Sequence, residues 1–424
     1  MKKWLSNDLV RNALKLLTGN TLALIIPFLL SPIISRLYTP EAFGSFEIFA
    51  KVLAFFAVVS TLRYELAIVI AKTDAEALVL AKKALKLAGL FAVLIAILQP
   101  FFGQQLSLIL DNPMTEDLWP WLSVAIALSA LFSVSYQILV RLEKFGVLAS
   151  QKILSLISNQ GTRIGLGWFG SYPLFLTLGH LLGLLSPVIF SFKKWRPFFS
   201  QKNSSSQQEA KVILRSFADF PKNNMPHALV DEGEKLLLLA LVAYYFGALE
   251  LGLFAFTLRY LRVPVQVLGT SIGQVLFPRF SKKINRGESL ASEVVKSVLL
   301  LCAIGIIPFG LLFFFGEVMF GVFLGESWSK AGLYAEAMSL WLFSNFIISP
   351  ISFLPSVFRV QKTFFLISIV CSGVILGCIV LWGGKAMDFA QFIWYLAFLQ
   401  SGIMLLKGVY LVWISLNFGK IKHG

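Results

Sequence analysis

Charged side chains within apolar stretches are the residues of this sequence that could do chemistry. On one predicted helix, polar residues recur at helical spacing and place two guanidinium groups and an amide on one face: Arg259, Arg262, Gln266, Thr270 and Gly273. A guanidinium group binds phosphate through two parallel hydrogen bonds, so two such groups one turn apart suit a diphosphate. This face is therefore a candidate anion-binding surface.

Two more cations, Lys51 and Arg163, lie in other apolar stretches. A charge at the bilayer centre costs about 2.5 to 3.5 kcal/mol on insertion scales, so it normally faces protein or water. Between low-dielectric walls, inward-facing cations attract anions strongly. We therefore expect Lys51, Arg163, Arg259 and Arg262 to line a cationic cavity. Ion pairs between helices, or side chains that reach the membrane surface, would account for the same residues.

Charges of both signs lie nearer one end of two predicted helices and are candidates for gating or ion coupling: Arg63, Glu65, Asp231, Glu234 and Lys235. Such residues either pair with each other and only stabilise the fold, or include a carboxylate that takes up a proton as the protein changes conformation. Both readings are open at this point. We expect His180 and His227 to be structural.

The elements that must position these residues are membrane helices. The chain is 57% hydrophobic and 14% charged, with a mean hydropathy of +0.78, whereas soluble domains are about 45 to 50% apolar and about 25% charged. This composition predicts an all-α polytopic membrane protein in which 424 residues leave room for about twelve spans of about 20 residues. The predicted spans are 12–35, 45–71, 85–110, 119–140, 153–169, 174–192, 224–246, 249–277, 294–315, 334–358, 364–382 and 389–416.

The distribution of basic residues predicts the topology. With these spans, 24 Lys and Arg residues fall in the connections on one side of the membrane and three on the other, Arg36, Lys330 and Lys385. This bias predicts that both termini and the longest polar connection, 193–215, are cytoplasmic. We expect an N-terminal half at 1–192, a linker at 193–215 and a C-terminal half at 216–424. The first apolar run is long and lacks a small-residue cleavage site, so we expect it to be retained as a span.

A short internal repeat supports this division. At an offset of 208 residues, the pattern Gly-x-Phe-x4-cation occurs twice, as Gly44, Phe46 and Lys51 and again as Gly252, Phe254 and Arg259. Each copy enters an even-numbered span, so the two halves would have the same orientation in the membrane. Parallel repeats of this kind are one of the plans known for transporters.

Several classes of function find no support in the sequence. The net charge of +15 comes from loop residues that set topology, so it does not indicate nucleic-acid binding. The three cysteines lie in apolar runs and suggest neither a disulfide framework nor a metal site. The sequence has no G-x-x-x-x-G-K-[ST], H-E-x-x-H or C-x-x-C motif. We therefore expect no enzyme, no metal and no cofactor apart from H+ or Na+ as a coupling ion.

Four segments carry a resemblance to a known family: NTLALIIPFLLSPIISRLYTPEAFGSFEIF, LRYELAIVIAKTDAEA, FADFPKNNMPHAL and ALELGLFAFTLRYLRVPVQVLGTSIGQVLFPRFSK. They resemble the bacterial polysaccharide and O-antigen repeat-unit flippases of the multidrug/oligosaccharidyl-lipid/polysaccharide exporter superfamily. The resemblance covers most of the first 285 residues. It implies twelve transmembrane helices in two six-helix lobes that alternately open a central cavity to each side of the membrane.

The resemblance also implies a function and partners. The expected activity is translocation of undecaprenyl-pyrophosphate-linked oligosaccharide, the O-antigen or a related surface polysaccharide repeat unit, to the outer leaflet of the bacterial inner membrane. The cations Lys51, Arg163, Arg259 and Arg262 are the positions to which we assign binding. Expected partners are membrane lipids, a polysaccharide polymerase and chain-length proteins. A drug or small-molecule antiporter on the same scaffold is the main alternative, and a membrane polymerase or ligase is a second one.

Overall fold

Helices form nearly all of the computed structural model, which describes residues 25–110, 112–200, 206–285, 290–358, 360–383 and 387–421. No β-strand occurs in these ranges. Packing divides the chain into two compact units, Met1–Ala248 and Leu249–Gly424. The finer division into 1–192, 193–215 and 216–424 stays a prediction, and the first half of the predicted span 12–35 lies outside the described residues.

Fourteen α-helices in the described part of the chain carry the residues discussed below. They are α1 (Ser31–Leu37), α2 (Pro40–Thr61), α3 (Tyr64–Ile70), α4 (Asp74–Ile109), α5 (Pro120–Arg141), α6 (Phe145–Gly167), α7 (Pro173–Phe199), α8 (Gln207–Ser216), α9 (Met225–Asn285), α10 (Ala291–Leu324), α11 (Ser329–Ile348), α12 (Leu354–Val357), α13 (Gln361–Gly383) and α14 (Phe389–Ile421).

Eight helical stretches among the described residues are long and apolar enough to cross a membrane: Pro40–Thr61, Asp74–Ile109, Pro120–Arg141, Pro173–Phe199, Phe220–Val263, Ala291–Leu324, Glu326–Ile351 and Phe389–Leu416. A shorter apolar helix covers Leu366–Trp382. Helix α6 has 23 residues but carries a row of polar side chains that lowers its hydropathy. The predicted class, an all-helical polytopic membrane protein, is confirmed.

The second predicted span is shorter than the sequence indicated. Helix α2 begins at Pro40, where Thr39 Oγ1 accepts a hydrogen bond from the Ala42 backbone N–H, and ends at Thr61. Leu62 and Arg63 then have left-handed backbones, with φ of 51° and 62°, and α3 follows as a separate helix. The predicted single helix over 45–71 is therefore wrong, because the chain turns near its last third.

The start of the second repeat coincides with a break in α9. Gly247 has a φ of 80° and a ψ of 179°, a conformation that glycine adopts without steric cost, and the helix resumes at Ala248. Helix α2 begins at Pro40, which is 208 residues earlier and matches the offset of the sequence repeat. The break also separates the predicted spans 224–246 and 249–277.

Two helices of the first unit are longer than a bilayer requires. At about 1.5 Å per residue, the 36 residues of α4 and the 27 residues of α7 exceed the hydrocarbon thickness of about 30 Å. Helix α4 begins early because Thr73 Oγ1 accepts a hydrogen bond from the Glu76 N–H, and Glu76 accepts one from the Lys72 N–H. Either helix, if it crosses the bilayer without a strong tilt, extends beyond the hydrocarbon at one end.

Candidate functional site

Two of the predicted coupling residues, Arg63 and Glu65, lie at the turn between α2 and α3. Thr61 Oγ1 accepts a hydrogen bond of 3.3 Å from the Arg63 N–H and so satisfies a donor that the helix no longer binds. A left-handed non-glycine residue costs about 1 to 3 kcal/mol, and two occur in succession at Leu62 and Arg63. Such strain persists only where packing enforces it. Tyr64, Ala67 and Ile68 of α3 supply that packing, since all three are buried in the core of the first unit.

Glu65 is a buried carboxylate beside a cation. The Arg63 Nη1 lies 3.7 Å from its Oε1, while its side chain is only 5% exposed. The other oxygen, Oε2, is buried without a hydrogen-bond partner among the described residues. Glu65 lies beyond the end of the membrane-spanning helix α2. Burial raises the pKa of the Glu65 carboxyl, an effect that a hydrogen bond from Thr61 and the charge of Arg63 oppose.

A cavity of about 240 Å³ opens beside this pair within the first unit. It is lined by hydroxyl, charged and small apolar side chains: Ala54, Ala57, Val58, Thr61, Arg63, Glu65, Ser129, Ala130, Ser133 and Glu232. This volume exceeds the space that one water molecule needs, and the polar lining offers it several partners. The cavity thus gives the buried carboxylate an environment in which a proton can be exchanged.

The predicted residues of the seventh span lie next to a residue that lines this cavity, Glu232, but do not line it themselves. Lys235 Nζ forms ion pairs of 2.8 Å with Asp231 and with Glu232, one turn earlier on α9. Glu232 lines the cavity, so the structure brings α9 next to the pair of Arg63 and Glu65. Asp231, Glu234 and Lys235 themselves are not among its lining residues. Asp231 and Lys235 pair with each other, and the choice between a structural and a coupling role for these residues stays a prediction.

Ser129 and Ser133 are cavity residues that the sequence reasoning missed. They lie one turn apart on α5 within the apolar span Pro120–Arg141. The spacing of these two hydroxyl groups on an otherwise apolar helix is the sequence signal that could have indicated a polar cavity. Both serines line the same cavity as Thr61 of α2.

Arg163 occupies a different place in the first unit. Its side chain is buried, and the guanidinium carbon lies 4.4 Å from the centre of the Phe46 ring. Its Nε donates a hydrogen bond of 3.2 Å to the Leu176 carbonyl, and its own carbonyl accepts one of 2.6 Å from Tyr38 Oη. Burial raises the pKa of the Tyr38 hydroxyl to about 12, although the charge of Arg163 acts against this. Arg163 thereby connects α6 with α2 and α7.

Arg163 ends a row of four polar residues along α6, one per turn: Gln151, Ser155, Asn159 and Arg163. Gln151 Nε2 donates to the Pro187 carbonyl and to Ser191 Oγ, and Ser155 Oγ donates to the Gly183 carbonyl. The row therefore faces α7, where small residues allow close approach. This row explains why α6 is polar and yet sits inside a membrane protein.

Lys51 and the two arginines of the second unit differ in exposure. Lys51 is half-buried on α2, four residues after the buried Glu47. In the second unit, Arg262 is half-buried with its guanidinium carbon 5.4 Å from the centre of the Trp341 ring on α11. Arg259, one turn earlier, is exposed. The role of these three residues in binding stays a prediction, as does that of Arg163.

The second unit also contains a polar cluster that no sequence pattern indicated. Glu250, just after the break at Gly247, accepts hydrogen bonds from Lys330 Nζ and Tyr334 Oη of α11. These contacts fix the start of the second half of α9 to α11. No group of three or more metal-ligating side chains occurs in the part of the chain that the structure describes.

Comparison with known proteins gives both a family and a fold. The model of a family described as polysaccharide biosynthesis protein matches residues 33–332. Among solved structures, the lipid II flippase MurJ in an inward closed conformation has a TM-score of 0.73 and 16% identity over 93% of this chain and 86% of that one. No curated protein matches this sequence.

Two other similar structures are transporters of the MOP superfamily. An inward-facing multidrug resistance MATE family transporter has a TM-score of 0.70 and 13% identity over 93% of this chain and 95% of that one. A transporter from Pyrococcus furiosus, described as having a binding pocket of reversed polarity, has a TM-score of 0.58 and 14% identity over 97% of this chain and 94% of that one. At these identities the likeness establishes the fold alone.

Proposed function

Since the chain belongs to the polysaccharide biosynthesis protein family, whose model matches residues 33–332, we propose that it is a flippase for undecaprenyl-pyrophosphate-linked oligosaccharide. The substrate would be the O-antigen or a related repeat unit of a surface polysaccharide. Family membership is the observation that carries this proposal. The fold shared with a lipid II flippase supports it, since that name describes a protein that moves a lipid-linked molecule.

In this proposal the cations bind the diphosphate of the substrate. Lys51, Arg163, Arg259 and Arg262 are the predicted binding residues, and the exposed residue Arg259 next to half-buried Arg262 supports the part assigned to the second unit. A diphosphate spreads its charge over several oxygen atoms that the planar arginine fork can bind two at a time. The guanidinium of Arg163 already contacts Phe46 and the Leu176 carbonyl. The structure therefore supports a binding role for Arg163 less than for Arg259 and Arg262.

The protein would work by alternating access, in which the headgroup binds from the cytoplasm and leaves on the outer side. The large excess of basic residues on one side of the predicted topology supports cytoplasmic termini and a location in the bacterial inner membrane. A polysaccharide polymerase and chain-length proteins would act on the product. No chemical bond changes in this cycle, so the protein would not be an enzyme.

We further propose that protons, and not Na+, drive the cycle through Glu65. The raised pKa of this carboxyl, its unpartnered Oε2 and the adjoining polar cavity support proton binding. A metal cation at the same place would be repelled by Arg63, 3.7 Å from the carboxylate. Protonation instead removes the negative charge and with it the attraction that holds Arg63, which changes the contacts of the strained turn.

A drug antiporter is the second candidate, because the fold is also that of a multidrug resistance transporter. Exporters of cationic drugs would be expected to present acidic groups to their substrates, whereas the candidate residues here are basic. Substrate competition separates the two functions. A cationic drug should not inhibit a flippase whose site holds a diphosphate, but it should inhibit an antiporter.

The test of the proposed function is translocation by the purified full chain in liposomes that contain a defined undecaprenyl-pyrophosphate oligosaccharide. Protein-dependent movement of the sugar to the opposite leaflet, faster with a proton gradient, is the expected result. Restored surface polysaccharide in a strain that lacks a flippase would agree with it. If the liposomes show no translocation while the same protein exports a cationic dye, the flippase assignment is wrong.

A further inference from the structure

Basic side chains border the apolar parts of α4 and α7, at the positions where lipid headgroups would meet these helices. Helix α7 has 20 residues from Pro173 to Phe192, which at about 1.5 Å each already span about 30 Å of hydrocarbon. Its next residues include the exposed cations Lys193, Lys194 and Arg196. On α4, Lys82 is likewise exposed before the apolar part of the helix begins.

Helix α8 adds two more cations to the same side of the first unit. It starts with a capping box in which Ser206 and Glu209 bind each other's backbone N–H groups. Leu214 and, just after the helix, Phe217 pack against the core that contains Leu78 and Trp195. The outer side of α8 carries exposed Lys211 and Arg215. The helix is thus held flat on the unit with its cations outward.

These cations form one surface, which we call the basic surface of the first unit: Lys82, Lys193, Lys194, Arg196, Lys211 and Arg215. The core below it joins α4, α7 and α8, because Ala81, Phe198 and Leu214 belong to one packed cluster. The basic surface is therefore a fixed feature of the fold and not a set of independent loop charges.

Aromatic residues at the same level have the placement expected at a membrane interface. Phe192 is 41% exposed, and the guanidinium carbon of Arg196 lies 5.4 Å from the centre of its ring. Trp195 is buried behind it and contacts both Phe192 and Phe199 edge to face. Aromatic side chains next to basic ones are typical of the layer where lipid tails meet headgroups.

Among the described residues, no carboxylate forms an ion pair with these cations. Asp74 pairs with Arg141 at 2.8 Å, Glu76 accepts the Lys72 N–H, and Glu209 accepts the Ser206 N–H. Each of these acidic groups therefore serves a helix start or a different cation. The surface keeps its positive charge, which is complementary to the anionic headgroups of a membrane leaflet.

We propose that the basic surface of the first unit binds the phosphate headgroups of anionic phospholipids in the adjacent leaflet. The exposed cations on three helices form a broad shallow surface, which suits several small headgroups better than one enclosed oligosaccharide. Bound phospholipid would hold the ends of α4 and α7 and the helix α8 at a fixed depth in the membrane. This role is separate from substrate translocation and does not depend on it.

The test uses the full chain in detergent and counts bound lipid by native mass spectrometry with phosphatidylglycerol, phosphatidylcholine and undecaprenyl diphosphate as probes. The variant Lys193→Gln, Lys194→Gln, Lys211→Gln and Arg215→Gln removes four charges. Its matched control, Lys193→Arg, Lys194→Arg, Lys211→Arg and Arg215→Lys, keeps them. Lys296→Gln removes an exposed charge of the second unit as a remote control.

The wild type and both controls should bind phosphatidylglycerol in preference to phosphatidylcholine, and the charge-removed variant should bind it at least about tenfold more weakly. High salt should weaken binding to the wild type, a result that does not depend on any variant folding. The proposal is overturned if salt has no effect, if the charge-removed variant binds normally, or if only undecaprenyl diphosphate binds to the surface.

Discussion

The guanidinium of Arg163 lies against the ring of Phe46, 4.4 Å from its centre, so a buried cation of α6 rests on an aromatic face of α2. Its Nε also binds the Leu176 carbonyl of α7. Three helices of the first unit are therefore joined at one charged side chain. A cation is stable there because the ring and the carbonyl replace part of its hydration.

We predict an energetic coupling between these two residues. Phe46→Leu and Arg163→Gln should each lower the free energy of unfolding, and the double variant should lose about 0.5 to 2 kcal/mol less than the sum of the single losses. Thermal unfolding of the purified variants in detergent measures this cycle. Purely additive losses would mean that the contact does not stabilise the protein.

The second prediction concerns the pH dependence of stability at Glu65. Its pKa is raised in the folded protein by burial, so the folded state holds this proton at a pH where the unfolded chain has lost it. The associated stability is complete below the ordinary pKa of a glutamate and is lost as the pH rises through the raised value. Thermal unfolding midpoints of the wild type should therefore fall over that interval.

The variant Glu65→Gln should flatten that part of the profile, because glutamine stays neutral at every pH. Glu116→Gln, which changes an exposed carboxylate of the same unit, is the matched control and should leave the slope unchanged. A Glu65→Gln protein with the full wild-type slope would show that another group is responsible. The same pair of variants, tested in liposomes, should show whether acceleration by a proton gradient requires Glu65.

The sequence predicted most of the helices that the structure describes, and the repeat, because both depend on hydrophobic periodicity and on local turn residues. The pattern shared by Gly44 and Gly252 placed corresponding helix starts 208 residues apart, and the helices do begin at Pro40 and Ala248. The early start of α4 also had a visible signal, since Thr73 is followed three residues later by Glu76.

The turn at Leu62 and Arg63 had no such signal. Neither residue favours a left-handed backbone, and no glycine or proline marks the position. The conformation depends on how α3 packs into the core, which is information from distant parts of the chain. For the same reason the sequence showed that Arg63 and Glu65 are charged but not that they share a cavity with Glu232 of α9.

The third prediction tests the close packing of α10 and α11 in the second unit. A Cβ atom added at Gly332 would collide with the backbone of Gly316 and Glu317, which cannot move without shifting a helix. Gly332→Ala should therefore destabilise the protein by about 1 to 3 kcal/mol. Thermal unfolding in detergent measures the change, and helix separation should also lower expression.

Gly377→Ala is the matched control, because nothing lies within 4 Å of an added Cβ there. It replaces a glycine of α13 by a better helix former and should be neutral or stabilising by up to about 1 kcal/mol. Equal losses of stability in the two variants would contradict the close approach of α10 and α11.

The last prediction concerns Arg259 and Arg262, the two arginines that we assign to the diphosphate. Replacing both by Gln should abolish translocation in liposomes while the protein still inserts and folds, because neither residue belongs to the buried core of the second unit. Arg259 is exposed, and Arg262 contacts the face of Trp341 from a half-buried position. Lys296→Gln, which removes an exposed cation of the same unit, should translocate normally.

The chemistry of recognition can be tested by restoring charge without the arginine fork. Lysine at both positions keeps the positive charge but cannot form two parallel hydrogen bonds to one phosphate group. Substrate binding should therefore recover only in part with Arg259→Lys and Arg262→Lys, and more for a monophosphate analogue than for the diphosphate. Glutamine carries no positive charge with which to bind the diphosphate. Full translocation by the double Gln variant would therefore show that these two arginines do not bind the substrate.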